Sequence, residues 1–309
     1  MTARYLTYDA ADALNWQGAV EALRQGHFLP RAEIGDLFLG PAEGTLLTRG
    51  AYLEGLGYGV KSVTVMPGNP ARDRPSVQGA MIVFDPDTGA VRAVIDSTLV
   101  TEFKTAGDSV LAAVLLARPE SRRLLILGAG TVARSLCAAY PALFPDLERI
   151  DVWARRKEQA EALAAELARE GLDVRAAGDL PAAVAEADIV ATATMAQEPV
   201  LKGDWIRPGT HVDLIGAFRA DMREADDALI SGGRLFVDSR ETTLGHIGEL
   251  KIPLAAGVIS EADVLGDLYD LVPDPARGRR SENEVTVFKN GGGAHLDLMV
   301  ADYIARTVD

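Results

Sequence analysis

The chain has 309 residues, 48% of them hydrophobic, and a formal net charge of −14. That length suits two ordinary domains or one large one, with enough apolar side chain to bury a core. The acidity argues against a nucleic-acid binder, which would show a basic face. The single cysteine, Cys137, excludes an intrachain disulfide and a cysteine-rich metal site. Set among small apolar residues, it reads as a buried packing residue.

In chain order, the opening MTARYLTYDAADAL lacks the basic-then-apolar pattern of a signal peptide. No apolar run approaches the ~18 residues of a membrane span. We therefore expect a soluble cytoplasmic protein with neither nucleic acid nor membrane as partner. A helix is expected around Asp9–Arg24. GVKSVTV alternates as a strand, with Lys61, Val63 and Val65 on one face. A lysine that shares a face with two valines is partly buried. Burial away from anions lowers the ammonium pKa and suits it to donate a proton. MPGNP breaks that strand. AMIVFDPDTGAVRAVID then reads as a hairpin around Asp85–Gly89. This first part is expected to be a mostly antiparallel sheet with flanking helices. The helix DSVLAAVLLAR is expected to carry the chain into a second domain.

From about Arg122 the texture changes. LLIL, RIDVW, DVRAA, DIVATAT, HVDLIG and RLFVD alternate with helical segments, the pattern of a parallel sheet with right-handed crossovers. That is a doubly wound nucleotide-binding domain. Gly128, Ala129, Gly130, Thr131, Val132 and Ala133 fit G-x-G-x-x-A, placed after an apolar strand and at the start of a helix. The first glycine permits the tight turn and the second lets backbone approach a pyrophosphate. The alanine allows helix and sheet to pack closely. An acidic residue at the tip of the next strand would bind an adenosine 2′-hydroxyl. Asp151 sits too early for that, and Arg155 and Arg156 hold the tip. Cations at a helix N-terminus oppose its dipole, so local stability does not account for them. A 2′-phosphate does, and we expect NADP(H) in preference to NAD(H). The final segment KNGGGAHLDLMVADYIARTVD ends in an amphipathic helix, with Leu296, Met299, Val300 and Ile304 on one side, expected to return to the N-terminal domain. His27, His211 and His246 show no metal-ligand spacing, so no metal is expected. No Ser/His/Asp nucleophile arrangement emerges.

In order along the chain, GVKSVTVMPGNPARDRPSVQGAMIVFDPDTGAVRAVIDSTLVT, FKTAGDSVLAA, the glycine motif, GAFRADMREADDALI, LFVDSRETTLGHIGEL and EVTVFKNGGGAHLD resemble the ornithine cyclodeaminase/mu-crystallin family. The resemblance runs from about residue 45 to the C-terminus. It implies an α/β protein with a Rossmann-type doubly wound sheet inserted in an α+β substrate-binding and dimerisation domain. The substrate domain would take residues 1–118, the NAD(P)-binding domain 119–290, and residues 291–309 would return to the first. It also implies a homodimer, active sites between the domains, and hydride transfer at a carbon bearing nitrogen and a carboxylate. Members divide into ornithine cyclodeaminases, imine reductases and alanine dehydrogenases.

Residue by residue, Lys61 matches the family's active-site lysine. Lys104 stands where the family usually has a carboxylate-clamping arginine; it keeps the charge and loses the planar fork. Arg49 and Gln78 lie near segments that line the substrate site in relatives; as a charge within an expected sheet, Arg49 has an ion pair as its alternative role. Asp297 matches a family aspartate at the start of the last helix, where helix capping is its alternative role. His295 is a further candidate beside the glycines. Phe218 replaces the aspartate that follows Gly-Ala in cyclodeaminases, and a phenyl ring transfers no proton. Asp221 lies three residues on. The expectation is therefore NADPH-dependent reduction of a ketimine or cyclic imino acid, such as pyrroline-2-carboxylate, to an L-amino acid. The alternatives are NAD-dependent ornithine cyclodeamination, alanine dehydrogenase-like activity, and a non-catalytic NADPH-binding role.

Overall fold

The computed structural model describes residues 3–41 and 43–308; the expected domain ends at residues 1 and 309 lie outside the described residues. The chain divides into two compact units. One takes the residues up to Gly107 together with those from Gly293 onward, and the other spans Asp108–Gly292.

Among the described residues the first unit holds six strands: β1 (Arg4–Leu6), β2 (Glu33–Leu39), β3 (Thr45–Leu53), β4 (Gly57–Val65), β5 (Val77–Phe84) and β6 (Val91–Asp96). Their order in the sheet is β1-β6-β5-β4-β3-β2. All neighbours are antiparallel except β1 and β6. The β5–β6 hairpin turns on Asp85, whose carboxylate accepts the Thr88 amide at 2.9 Å and hydroxyl at 2.7 Å. On β4, Gly57, Gly59, Lys61 and Val63 form the buried face. The strand's alternation thus carries a lysine into the interior.

The expected Asp9–Arg24 helix is two elements. A 3-10 segment at Tyr8–Ala13 ends before Asn15, whose side chain accepts the Gly18 amide and caps a new helix, α1 (Trp16–Gly26). The C-terminal helix, Ala294–Thr307, is buried on almost every side, not along one stripe. It lies against β3, β4 and β5 on one side and α1 on the other, which leaves water mainly its last turn, where Arg306 and Thr307 are exposed. A long helix, α2 (Ser97–Leu116), starts well before the expected DSVLAAVLLAR segment, and the division between the units falls within it.

The second unit is built on eight strands: β7 (Arg123–Leu127), β8 (Arg149–Trp153), β9 (Val174–Ala176), β10 (Ile189–Thr192), β11 (His211–Leu214), β12 (Arg234–Val237), β13 (Val264–Gly266) and β14 (Thr286–Lys289). The order β13-β12-β14-β11-β10-β7-β8-β9 is parallel throughout. β10, β11 and β14 are buried along their whole length, as parallel strands covered on both faces must be. Helices α3 (Thr131–Leu143), α4 (Lys157–Arg169) and α5 (Leu180–Glu186) are the crossovers. β7 adjoins both β8 and β10, so the chain reverses its direction of travel across the sheet there. In a doubly wound sheet, that switch point at the C-terminal strand ends is where a ligand lies. Among the described residues, no helix is long and apolar enough to cross a membrane.

Candidate active site

In the first unit, strand register assembles a row of charge. Asp36 on β2 pairs with Arg49 on β3, and Arg49 pairs with Lys61 on β4. Arg49 donates to the Asp36 carboxylate through Nε at 3.0 Å and Nη2 at 2.8 Å, the two-pronged geometry a guanidinium favours. Lys61 is 8% exposed and donates from Nζ to Asp297 Oδ1 at 2.6 Å. Asp297 enters from the first turn of the C-terminal helix and is buried. Lys104 enters from α2 and is also 8% exposed. Among the described residues its ammonium has no hydrogen-bond or ion-pair partner, yet its charge acts on both Lys61 and Asp297.

These charges shift one another. Burial pulls the Lys61 ammonium below the ordinary lysine range. Asp297 opposes that, while repulsion from Lys104 and Arg49 adds to it. Burial alone would push Asp297 up, but Lys61, Lys104 and, more weakly, Arg49 overcome it and hold the carboxyl below the usual range. Three cations thus face two carboxylates, with one positive charge left over in a desolvated place. Leaving a buried charge such as that of Lys104 uncompensated is costly.

The structure does not bring Gln78 to this cluster. Lys61 registers with Met81, so Gln78, three residues earlier on β5, falls on the opposite face of the sheet. Gln78 is exposed and donates to the Pro75 carbonyl at 3.3 Å. The sequence reading missed Asp36, because β2 went unread. The signal was the apolar run EIGDLFL, with its carboxylate one strand away from Arg49. His295 is buried, with its ring edge-on to His27 at 6.0 Å.

In the second unit, the glycine turn joins β7 to α3. Gly128 has φ 123° and its amide donates to the Trp153 carbonyl at 2.8 Å. A Cβ there would meet the Ala193 carbonyl at 2.4 Å, so both conformation and space demand glycine. Gly130 begins α3, and no side chain caps that helix end. A Cβ on Gly130 would meet no protein atom within 4 Å, so protein packing does not select the glycine. Uncapped amides behind an open approach fit a pyrophosphate. Ala129 is half-buried, Thr131 is exposed and Val132 is half-buried, whereas Ala133 is fully buried against the sheet.

Arg155 and Arg156 follow β8, and Arg156 is the N-cap of α4. Both are exposed. Nearby arginines are neutralised: Arg134 by Glu166 and Glu170, Arg149 by Asp151, Arg175 by Asp173. Among the described residues, Arg155 and Arg156 have no such partner. Asp151 is committed to Arg149 at 2.7 Å within the strand and does not reach its tip. The glycine turn therefore fits a dinucleotide, with two exposed cations at its β8 side. Phe218 lies in the loop after β11, 56% exposed, with the Arg219 guanidinium 5.8 Å from its ring centre. Among the described residues, no group of three or more His, Cys, Asp or Glu side chains is placed to hold a metal ion.

A parallel doubly wound sheet with a glycine turn at its switch point defines a Rossmann-type nucleotide-binding protein. The chain belongs to the ornithine cyclodeaminase/mu-crystallin family, whose model matches residues 17–308. It is 64% identical over 306 residues to a Delta(1)-pyrroline-2-carboxylate reductase of Paracoccus denitrificans, covering 99% of this chain and 97% of that one. Its fold matches the Thermococcus litoralis Delta(1)-pyrroline-2-carboxylate reductase in complex with NADH and L-proline, with TM-score 0.91, 29% identity, and coverage of 98% and 97%. An archaeal alanine dehydrogenase dimer with bound NAD matches with TM-score 0.90, 28% identity, and coverage of 99% and 96%.

Proposed function

We propose that this chain reduces a cyclic imino acid of the pyrroline-2-carboxylate kind, or a related ketimine, to the L-amino acid with NADPH. The observation that carries this reading is the buried Lys61–Asp297 pair with Lys104 beside it. It combines a surplus positive charge for a carboxylate with an ammonium whose proton is loosened. Lys104, aided by Arg49, holds the substrate carboxylate. Lys61 donates its proton to the imine nitrogen, which makes the adjoining carbon electrophilic, and solvent then restores the lysine. Asp297 keeps Lys61 oriented and charged between turnovers. The bound nicotinamide supplies the hydride to that carbon. The amides of the Gly128–Ala133 turn hold the pyrophosphate, and Arg155 and Arg156 hold the 2′-phosphate. Phe218 offers an apolar surface where a cyclodeaminase-type mechanism would need a carboxylate. The activity of the 64% identical relative supports the same reading.

The test is NADPH oxidation by purified protein with pyrroline-2-carboxylate, piperideine-2-carboxylate, or a 2-oxo acid plus amine. Turnover of the cyclic imino acids is the expected result. No turnover across the panel sinks the reading, and ammonia release from L-ornithine with catalytic NAD replaces it with cyclodeamination.

The working form is proposed to be a homodimer. β2 is an edge strand, and Leu37, Phe38 and Leu39 are all exposed, Phe38 at 65%. An apolar, unpaired edge of this kind invites another chain. Phe38→Glu should turn a dimer into a monomer by light scattering, since it replaces a side chain worth about 1.5–3 kcal/mol of burial with a charge at each copy of the contact. A wild-type monomer, or a variant that remains dimeric, would remove β2 from the interface.

A further inference from the structure

One buried side chain of the second unit has no place in the chemistry so far. Glu224 is fully buried and accepts four hydrogen bonds. Its Oε1 takes the Thr194 amide and the Thr194 hydroxyl, both at 2.7 Å. Its Oε2 takes the Gly216 amide at 2.6 Å and the Ala217 amide at 3.2 Å. Thr194 follows β10, and Gly216 and Ala217 follow β11. These two strands are adjacent and parallel, so their C-terminal ends lie side by side. One carboxylate therefore ties together two loops that are separate in sequence. The approach is tight: a Cβ on Gly216 would lie 2.1 Å from the Thr194 carbonyl oxygen.

Glu224 is itself anchored. Its amide and that of Ala225 donate to the buried Glu249 carboxylate at 2.8 and 2.9 Å. Its carbonyl accepts the Val200 and Leu201 amides, each at 2.9 Å. Buried Lys289 donates to the Leu214 and Asn290 carbonyls at 2.9 and 2.8 Å, and its charge bears on Glu224 and Glu249. The two loops are joined again further out, where Gln197 Nε2 donates to Asp221 Oδ2 at 2.8 Å. Between these ties each loop presents one large exposed apolar side chain, Met195 and Phe218.

The position explains the investment. The glycine turn after β7 abuts Ala193, the residue before Thr194, since a Cβ on Gly128 would touch the Ala193 carbonyl. Arg155 and Arg156 occupy the β8 side of that turn. A dinucleotide with its pyrophosphate on the turn and its adenosine end toward β8 extends the other way, over the ends of β10 and β11. That is the rim Glu224 holds together. We propose that Glu224 is a positioning residue for hydride transfer, fixing Thr194 and Gly216–Phe218 as one rigid support for the nicotinamide end. The proposal rests on the reading of this chain as a dinucleotide-dependent reductase.

Hydride transfer is sensitive to small displacements, so Glu224→Gln should lower kcat by about 10- to 100-fold. The KM for the imino acid should stay within about twofold, because the residues proposed to hold its carboxylate, Lys104 and Arg49, make no bond to Glu224 or its loops. With NADPH deuterated at the transferred position, the isotope effect on kcat should rise as hydride transfer becomes limiting. Thr194→Val removes the hydroxyl's bond to Glu224 and its longer acceptance of the Ala196 amide at 3.3 Å, and no buried charge. It should give a smaller loss of the same kind even if the glutamine variant folds poorly. Hydrogen exchange supplies a readout free of any substrate: NADPH should protect the Thr194, Gly216 and Ala217 amides in the wild type and not in Glu224→Gln. Wild-type kcat and isotope effect in both variants, or protection that persists in the glutamine variant, would overturn the proposal. A wild type that reduces no imine but shows this protection refutes the substrate reading alone and leaves the exchange result to decide the role of Glu224.

Discussion

Lys61→Met should lower turnover of the imino acid by roughly 10²–10⁴-fold, the usual worth of a positioned general acid. NADPH binding, measured by its fluorescence, should be unchanged, because the residues proposed to hold it all belong to the second unit. The pH profile carries the sign. In the proposed mechanism reduction needs the protonated ammonium, so kcat/KM should be flat at low pH and fall as pH rises through the pKa of Lys61. Burial sets that limb below the ordinary lysine value of about 10.4. Asp297→Asn removes the anion that favours the charged form, so its limb should move to still lower pH. The two variants should also differ in stability. Lys61→Met leaves Lys104 and Arg49 balanced by Asp297 and Asp36. Asp297→Asn leaves three cations facing Asp36 alone, and breaking a buried pair in that way costs about 3–5 kcal/mol. Lys61→Met should therefore melt closer to the wild type than Asp297→Asn does. A Lys61→Met enzyme that keeps a tenth or more of the wild-type rate would remove the lysine from the proton-donor role.

The legible features were local. The alternation of GVKSVTV carried Lys61 to the buried face, and the glycine spacing after LLIL marked the switch-point turn. Where tertiary packing decides, local pattern was not enough. Asn15 breaks what reads as one helix because its side chain offers a better partner to the Gly18 amide than a continued helix would. The C-terminal helix looks amphipathic, yet its polar residues are consumed inside: Asp297 by Lys61 and Asp302 by Arg92. β14 arrives last in the chain and is placed between β11 and β12, an insertion that no linear pattern announces. Gln78 shows the limit most simply. It is near Lys61 in the sheet, but a strand has two faces, and only the register with Met81 says which one is shared. Glu224 was invisible for a related reason. Its four donors come from residues 194, 216 and 217, and nothing in the run MREADDALI says that one of its acids is wholly buried.

The proposed preference for NADPH rests on Arg155 and Arg156, and their replacement gives the second large expected effect. A hydrogen bond to a charged group is worth about 1.5–3 kcal/mol, so each guanidinium lost to alanine should lower kcat/KM for NADPH by about 10- to 100-fold. The loss should lie almost wholly in KM. A 2′-phosphate is remote from the reacting carbon and is gripped equally in ground and transition states, so kcat should hold. NADH has no such phosphate, and its kcat/KM should barely change in Arg155→Ala/Arg156→Ala. Exposure adds a further signature: the wild-type KM for NADPH should climb with added salt, and the double variant should lose that dependence. The alternative role of the two arginines, as an ordinary basic turn, predicts equal and small effects on both cofactors. It already meets a difficulty, because Arg156 sits at the N-cap position of α4 without capping it, where a cation opposes the helix dipole, and Glu158 and Glu161 in that helix leave both guanidiniums unpaired among the described residues. The proposal reads these two unpaired cations as a place for an anion, and steady-state kinetics with the two cofactors will show whether that anion is the 2′-phosphate.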